Sequence, residues 1–197
     1  ELAREVAKPP PRYRRDERRV DGYPEYGLLV RFAAFTGLRA GELVGLRVKD
    51  LHLLRRRVYV HQSASEAYGR LQIVATKTYE RRSVPIPKSF VDELAAQVAG
   101  KGQDDFVWGS PQGGPFRYSN WFKRHYKPAV ERASVPNETR FHDLRHSYAA
   151  MLIAQGAHPR AIMERIGHST ITVTLDNYGH LFPKLDEALD EALDGMY

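Results

Sequence analysis

Cysteine is absent from the 197 residues, which removes disulfide scaffolds, cysteine-ligated zinc and cysteine nucleophiles together. No run of 18 apolar residues occurs, and the opening ELAREVAKPP has no apolar signal core. The expectation is therefore a soluble intracellular chain, cytoplasmic and with no membrane partner. Repeats and low-complexity tracts are also missing, which argues against solenoids and fibrous arrays. Lysine is scarce, eight against 22 arginines. A guanidinium forks onto two phosphate oxygens where an ammonium meets one, so this bias points toward a polyanion.

At 42% hydrophobic and 27% charged residues, the composition is that of a globular protein. The length suits one large domain or two small ones, able to bury about 70% of the unfolded surface without a covalent staple. The net charge of +6 is unevenly distributed. Residues 184–197 carry Lys184 against Asp186, Glu187, Asp190, Glu191 and Asp194, a net −4, which leaves +10 on the remainder. Nucleic acid is the commonest partner for such a body, although a merely solvated basic surface has the same numbers.

Residues 1–20, with PPPR at 9–12 and RRDERR at 14–19, show no apolar period and read as an interdomain linker or extended arm. From Tyr26 a buried helix runs to Thr36-Gly37, and a second spans about Ala40 to Leu46. Alternation predicts strands near 55–62, 69–76 and 81–87, with Val84 and Ile86 sharing a face and 76–80 as the second turn. Helices follow at 89–100 with Ser89 as cap, after Ser119, at 141–156 and 159–167, and after Ser169; Pro128 should bend or end its helix. The fold class is α+β, a mostly α-helical domain with a small three-stranded antiparallel sheet.

Four segments place polar groups where packing would not ask for them. In TGLRAGE, a glycine turn sets Arg39 at a helix start, and Glu42, three residues on, can orient its guanidinium; an ordinary surface pair would have the same spacing. In HDLRH, His142 and Arg145 share a face suited to gripping two phosphate oxygens. His142 and His146, four apart, have the spacing of zinc-protease helices, but Asp143 is one methylene short of the required glutamate and Arg145 would crowd a dication. A capped helix start is the bland alternative. In GHS, His168 precedes a helix cap, and Tyr178 ends the helix that follows. Lys77 lies in a turn between strands, where lysines are usually solvated and idle.

The order and spacing of these groups resembles the tyrosine recombinase (phage integrase) family: Arg in TGLRAGE, a lysine in a sheet turn, HxxR, GHS, then tyrosine ten residues on. The resemblance covers about residues 25–182. It implies that 21–183 are the catalytic domain and 184–197 an acidic amphipathic tail, its stripe of Leu185, Leu189 and Leu193 docking on a neighbouring protomer or, in the bland alternative, folding back on its own domain. Tyr178 would be the nucleophile, leaving a 3′-phosphotyrosyl link and a free 5′-hydroxyl. Arg39 and Arg145 would clamp the non-bridging oxygens. His142 would assist proton transfer or hold the phosphate, His168 would add a hydrogen bond, and Lys77 would be the general acid. Glu42 and Asp143 would buttress this shell. The implied partners are a double-stranded DNA target, a homo-tetramer on it and an accessory DNA-bending protein, in a bacterial nucleoid, with no metal and no cofactor. Rival readings are a chromosome-dimer resolvase, a type IB topoisomerase, a catalytically inactive DNA-binding protein, and a zinc hydrolase.

Overall fold

A computed structural model of the chain describes residues 1–9, 23–67, 70–76, 81–109, 114–182 and 193–196. In chain order come helices α1 (Leu2–Val6), α2 (Pro24–Thr36) and α3 (Ala40–Gly45), then strands β1 (Leu51–His52), β2 (Arg57–Val60), β3 (Gln62–Ala67), β4 (Arg70–Ala75) and β5 (Arg82–Pro85). Helices α4 (Val91–Val98), α5 (Tyr118–Trp121), α6 (Lys127–Arg132), α7 (Asp143–Ala154), α8 (Pro159–Ile166) and α9 (Ile171–Tyr178) complete the order. Among the described residues no helix is long and apolar enough to cross a membrane.

Local chemistry explains most boundaries. Proline opens α2 and α8, where its missing N–H costs no helical bond. Gly37 and Gly167 end the same two helices at φ 63° and 68°, a left-handed conformation that a side chain disfavours. Gly37 is needed twice over, because a Cβ there would lie 2.5 Å from Tyr148 Cδ1.

Three expectations are corrected at helix ends. Part of the stretch read as an extended arm is the helix α1, with Val6 fully buried and Arg132 Nε 3.1 Å from Glu5 Oε2. Its five residues are too few for an apolar period to register. The caps fall elsewhere: Thr170, not Ser169, accepts from Val173 N, Tyr118 precedes Ser119 in α5, and Ser89 sits in a 3₁₀ turn, Lys88–Phe90. Pro128 does not end its helix. The chain widens into a π turn, Phe122–Tyr126, just ahead of it and continues to Arg132. Proline cannot donate to the carbonyl four residues back and its ring crowds that oxygen, and the wider turn accommodates both.

The sheet is three-stranded and antiparallel, in the order β1-β2-β5, with Val58 opposite Val84 and Val60 opposite Arg82. The strand expected at 69–76 does not join it. It pairs with β3 as a separate two-stranded ribbon, Gln62 opposite Ala75 through Ala67 opposite Arg70. The sequence QSASEA of β3 offers no apolar face to match Leu71 and Ile73 of β4, so the ribbon leaves the core sheet.

Two cores result. The larger joins Leu29, Phe32, Leu43, Val58, Val84, Leu94, Trp121 and Tyr126, with α2 as its spine. The smaller gathers Tyr148, Ala149, Ile153, Ile162, Ile166 and Tyr178 from α7, α8 and α9. Each buried leucine or phenylalanine contributes roughly 1.5–3 kcal/mol of transfer free energy. Helix α7 packs on both α2 and α8 and joins the two cores. Among the polar groups singled out above, Arg39, Glu42, His142, Arg145, His168 and Tyr178 lie along that seam.

Candidate active site

The last turn of α8 organises the site. Its carbonyls at Arg165, Ile166 and Gly167 have no partner within the helix, and the helix dipole makes that end negative. Each accepts from a different arginine: Arg165 O from Arg82 Nε at 2.8 Å, Ile166 O from Arg145 Nη2, and Gly167 O from Arg39 Nη2 at 2.9 Å. Three like charges are thereby held side by side. Gly167 permits this, because a Cβ there would lie 2.8 Å from Arg82 Nη1. A reciprocal bond closes the seam, since Arg145 Nη1 donates to Gly37 O, at the end of α2, at 2.7 Å.

Glu42 neutralises part of this charge. Its carboxylate accepts from Arg39 N at 2.8 Å and Arg39 Nη1 at 3.0 Å, and from Arg82 Nη1 and Nη2 at 2.9 and 2.8 Å. Its side chain is 1% exposed, that of Arg82 6%, and that of Arg39 34%. Burial opposes the Glu42 charge, but the fork of Arg82, reinforced by Arg39, holds the carboxyl below its ordinary value. Burial and the neighbouring Arg39 bring Arg145 down to about 10, still protonated at neutral pH.

The aromatic side of the site comes from α7 and α9. Helix α9 leaves Ile171, Val173 and Leu175 exposed and buries only Thr174 and Tyr178, four apart. Tyr178 is 3% exposed, and its phenol oxygen lies 2.9 Å from His146 Nδ1. Burial raises the phenol's pKa while Arg145 opposes that rise. His168 lies parallel to the Tyr178 ring, centroids 6.2 Å apart, with its Nδ1 3.0 Å from Thr174 Oγ1. Burial, with Arg145 and Arg39 nearby, drops His168 to about 4, so its ring is neutral at pH 7. His142 caps the start of α7, open to solvent on one side, its ring edge-on to His146 at 4.9 Å. Partial burial and the charges of His146 and Arg145 lower its pKa.

Arg39, Glu42, His142, Arg145, His168 and Tyr178 are thus gathered along the seam from segments far apart in the chain. Lys77 lies outside the described residues. Asp143 turns to Arg140 instead, accepting from Arg140 N at 2.8 Å and Nη2 at 2.8 Å. Burial opposes its charge, but Arg140 keeps its pKa low.

Three residues of the site were not expected from sequence: Arg82, His146 as the partner of the phenol, and Thr174. Arg82 carried a signal. It stands two before Val84 and four before Ile86, an arginine on the apolar face of a strand, and arginine is rarely buried unless paired. His146 was visible only as a zinc-like spacing.

Similarity to known proteins follows the same span. The model of the phage integrase family matches residues 20–184. The ICEBs1 integrase of Bacillus subtilis is 30% identical over 175 residues, covering 83% of this chain and 47% of its own length. The chain therefore spans just under half of that relative. Among solved structures, the Tn1549 transposon integrase in complex with circular intermediate DNA superposes with a TM-score of 0.73 at 26% identity, covering 87% of this chain and 60% of that one. The catalytic domain of bacteriophage HP1 integrase, 23% identical, shares the fold at a TM-score of 0.58 over 96% of this chain and 88% of its own. With a family match running from before α2 to past Tyr178, the chain belongs to the phage integrase family.

Proposed function

We propose that the chain is the catalytic part of a site-specific DNA recombinase of the integrase type, which cleaves and rejoins double-stranded DNA through a 3′-phosphotyrosyl link. The observation that carries this reading is the convergence of Arg39, Arg145 and Tyr178, from three distant segments, at the end of α8. That the Tn1549 transposon integrase was solved with circular intermediate DNA supports DNA as the substrate.

Phosphoryl transfer asks the protein for in-line placement and charge stabilisation more than for covalent chemistry. Arg39 and Arg145 supply the charge, held in advance by the α8 carbonyls. Preorganised donors of this kind are worth about 10²–10³ in rate each. Tyr178 attacks phosphorus, and the 5′-oxygen leaves with a proton from Lys77. His168, neutral and stacked beside the phenol, and His142, at the open mouth, hydrogen-bond the phosphate. Glu42 orients Arg39. Asp143 acts one step further out, fixing Arg140 at the start of α7. The phosphotyrosine conserves the energy of the broken bond, so a 5′-hydroxyl from another strand can reseal it without ATP.

In this reading residues 21–183, with α1 packed against them, are the catalytic unit, and the acidic tail 184–197 docks on a neighbouring protomer of a homo-tetramer on DNA. A nicked suicide substrate tests the proposal. The chain should form an SDS-resistant adduct that mass mapping places on Tyr178, while Tyr178→Phe binds the DNA and forms none. Adduct persisting in Tyr178→Phe, or a chain that binds without any covalent product, would overturn it.

A further inference from the structure

The reaction proposed above requires the Tyr178 phenol to lose its proton, and a phenol 3% exposed cannot hand it directly to bulk water. Its hydrogen-bond partner is His146, whose Nδ1 stands 2.9 Å from the phenol oxygen with the rings edge-on, centroids 5.6 Å apart. That is the contact distance a proton-accepting group needs. Resting on the recombinase reading, we propose that His146 is a catalytic residue, its Nδ1 taking the phenol proton as Tyr178 attacks phosphorus.

The surroundings suit this role. With the ring hydrogen on Nε2, His146 presents the Nδ1 lone pair to the phenol. His168 lies parallel to the tyrosine ring with its Nδ1 directed at Thr174. His142 is one turn earlier, at the N-cap of α7 and nearer solvent, which fits it for substrate. Among the described residues, the titratable groups facing His146 are His142 at the N-cap of α7, Asp143 of α7, Tyr178 of α9 and His168 between α8 and α9. The step balances. The bond from Tyr178 oxygen to phosphorus forms, the bond from phosphorus to the 5′-oxygen breaks, the phenol proton moves to His146 Nδ1, and the leaving oxygen takes one from Lys77. Religation reverses each transfer, with His146 returning the proton to the phenol.

Single-turnover cleavage of the nicked substrate between pH 5.5 and 8.5 tests this, with DNA binding measured alongside. His146→Gln should bind DNA normally and cleave about 10²-fold more slowly or worse. Two rescues separate proton transfer from packing. Added imidazole should restore His146→Ala, increasingly so as imidazole becomes neutral. A trifluorinated tyrosine at position 178, whose phenol ionises unaided near neutrality, should restore His146→Gln. A His146→Gln enzyme with the native rate would overturn the proposal, as would a slow variant that neither rescue accelerates. Failure of the unaltered chain to label Tyr178 would instead remove the recombinase reading, and this one with it.

Discussion

Arg82 meets Glu42 edge to edge, Nη1 to Oε1 at 2.9 Å and Nη2 to Oε2 at 2.8 Å, across 40 residues of chain. The carboxylate that orients Arg39 is therefore held by a second, more deeply buried guanidinium. Arg39, a third exposed, is the one that a ligand can reach. Replacing Arg82 by methionine strips the buried carboxylate of its best partner and should cost about 3–5 kcal/mol in urea unfolding. Adding Glu42→Gln should recover much of that loss, because it removes the charge left unpaired. Arg82→Lys should recover less than half, since an ammonium cannot form the fork. A loss in Arg82→Met no larger than that of a surface change would show that the pair does not hold the site.

Gly167 is both left-handed, at φ 68°, and pressed against the Arg82 guanidinium. Gly167→Ala should lower stability by about 1–3 kcal/mol and displace the Arg82 fork. Gly156 is the control, at φ 72° with nothing within 4 Å of its built Cβ. Gly156→Ala should show only the backbone cost of about 1–2 kcal/mol. Calorimetric melting of both variants, together with suicide-substrate cleavage, distinguishes them. Only the change at 167 should slow cleavage well beyond its effect on stability.

Two histidines, His125 and His168, are drawn down to about 4, each chiefly by burial. An unfolded chain protonates them near 6.5, so between that pH and about 4 the unfolded state binds the extra protons. Stability should therefore fall as pH drops through this window and be flat above it. His168→Gln should make the slope shallower in denaturant titrations run pH by pH. Glu42 contributes in the same direction but lower, below its ordinary value of 4.5, where protonation would release both arginines.

Lys77→Ala should slow cleavage of ordinary DNA by about 10²-fold or more, as loss of a general acid does. A 5′-bridging phosphorothiolate, whose sulfur leaves without a proton, should restore most of the rate. Equal defects on both substrates would take the acid's role away from Lys77.

Deleting residues 184–197 should weaken cooperative assembly on DNA, read as the loss of higher-order complexes in sedimentation. An unchanged distribution would mean that the acidic tail binds elsewhere.

Much of the site was legible in the chain because its groups are placed by local geometry. Arg39 and Glu42 are three apart at a helix start, His142 and Arg145 three apart on α7, and Tyr178 ends α9, all within reach of spacing rules. The same holds for helix ends set by Gly37 and Gly167 and for the alternation of β2 and β5. Asp143 is placed by equally local geometry, its carboxylate accepting from Arg140 three residues earlier. The pairing of β4 with β3 escaped because the polar strand β3 carries no apolar signature of its own.

The sequence by itself determined most of the helices, the mostly α class with its small sheet, and several of the residue types at the site, since turns and periodicities depend on near neighbours. Tertiary structure decided the assembly: three arginines on successive carbonyls of α8, Arg82 as the buried counter-charge of Glu42, and His146 rather than His142 against the Tyr178 phenol. These contacts join segments up to 128 residues apart, as between Arg39 and Gly167. Only packing of the two cores along α7 brings them together, because what a buried charge or phenol requires is a partner in space, at whatever separation along the chain.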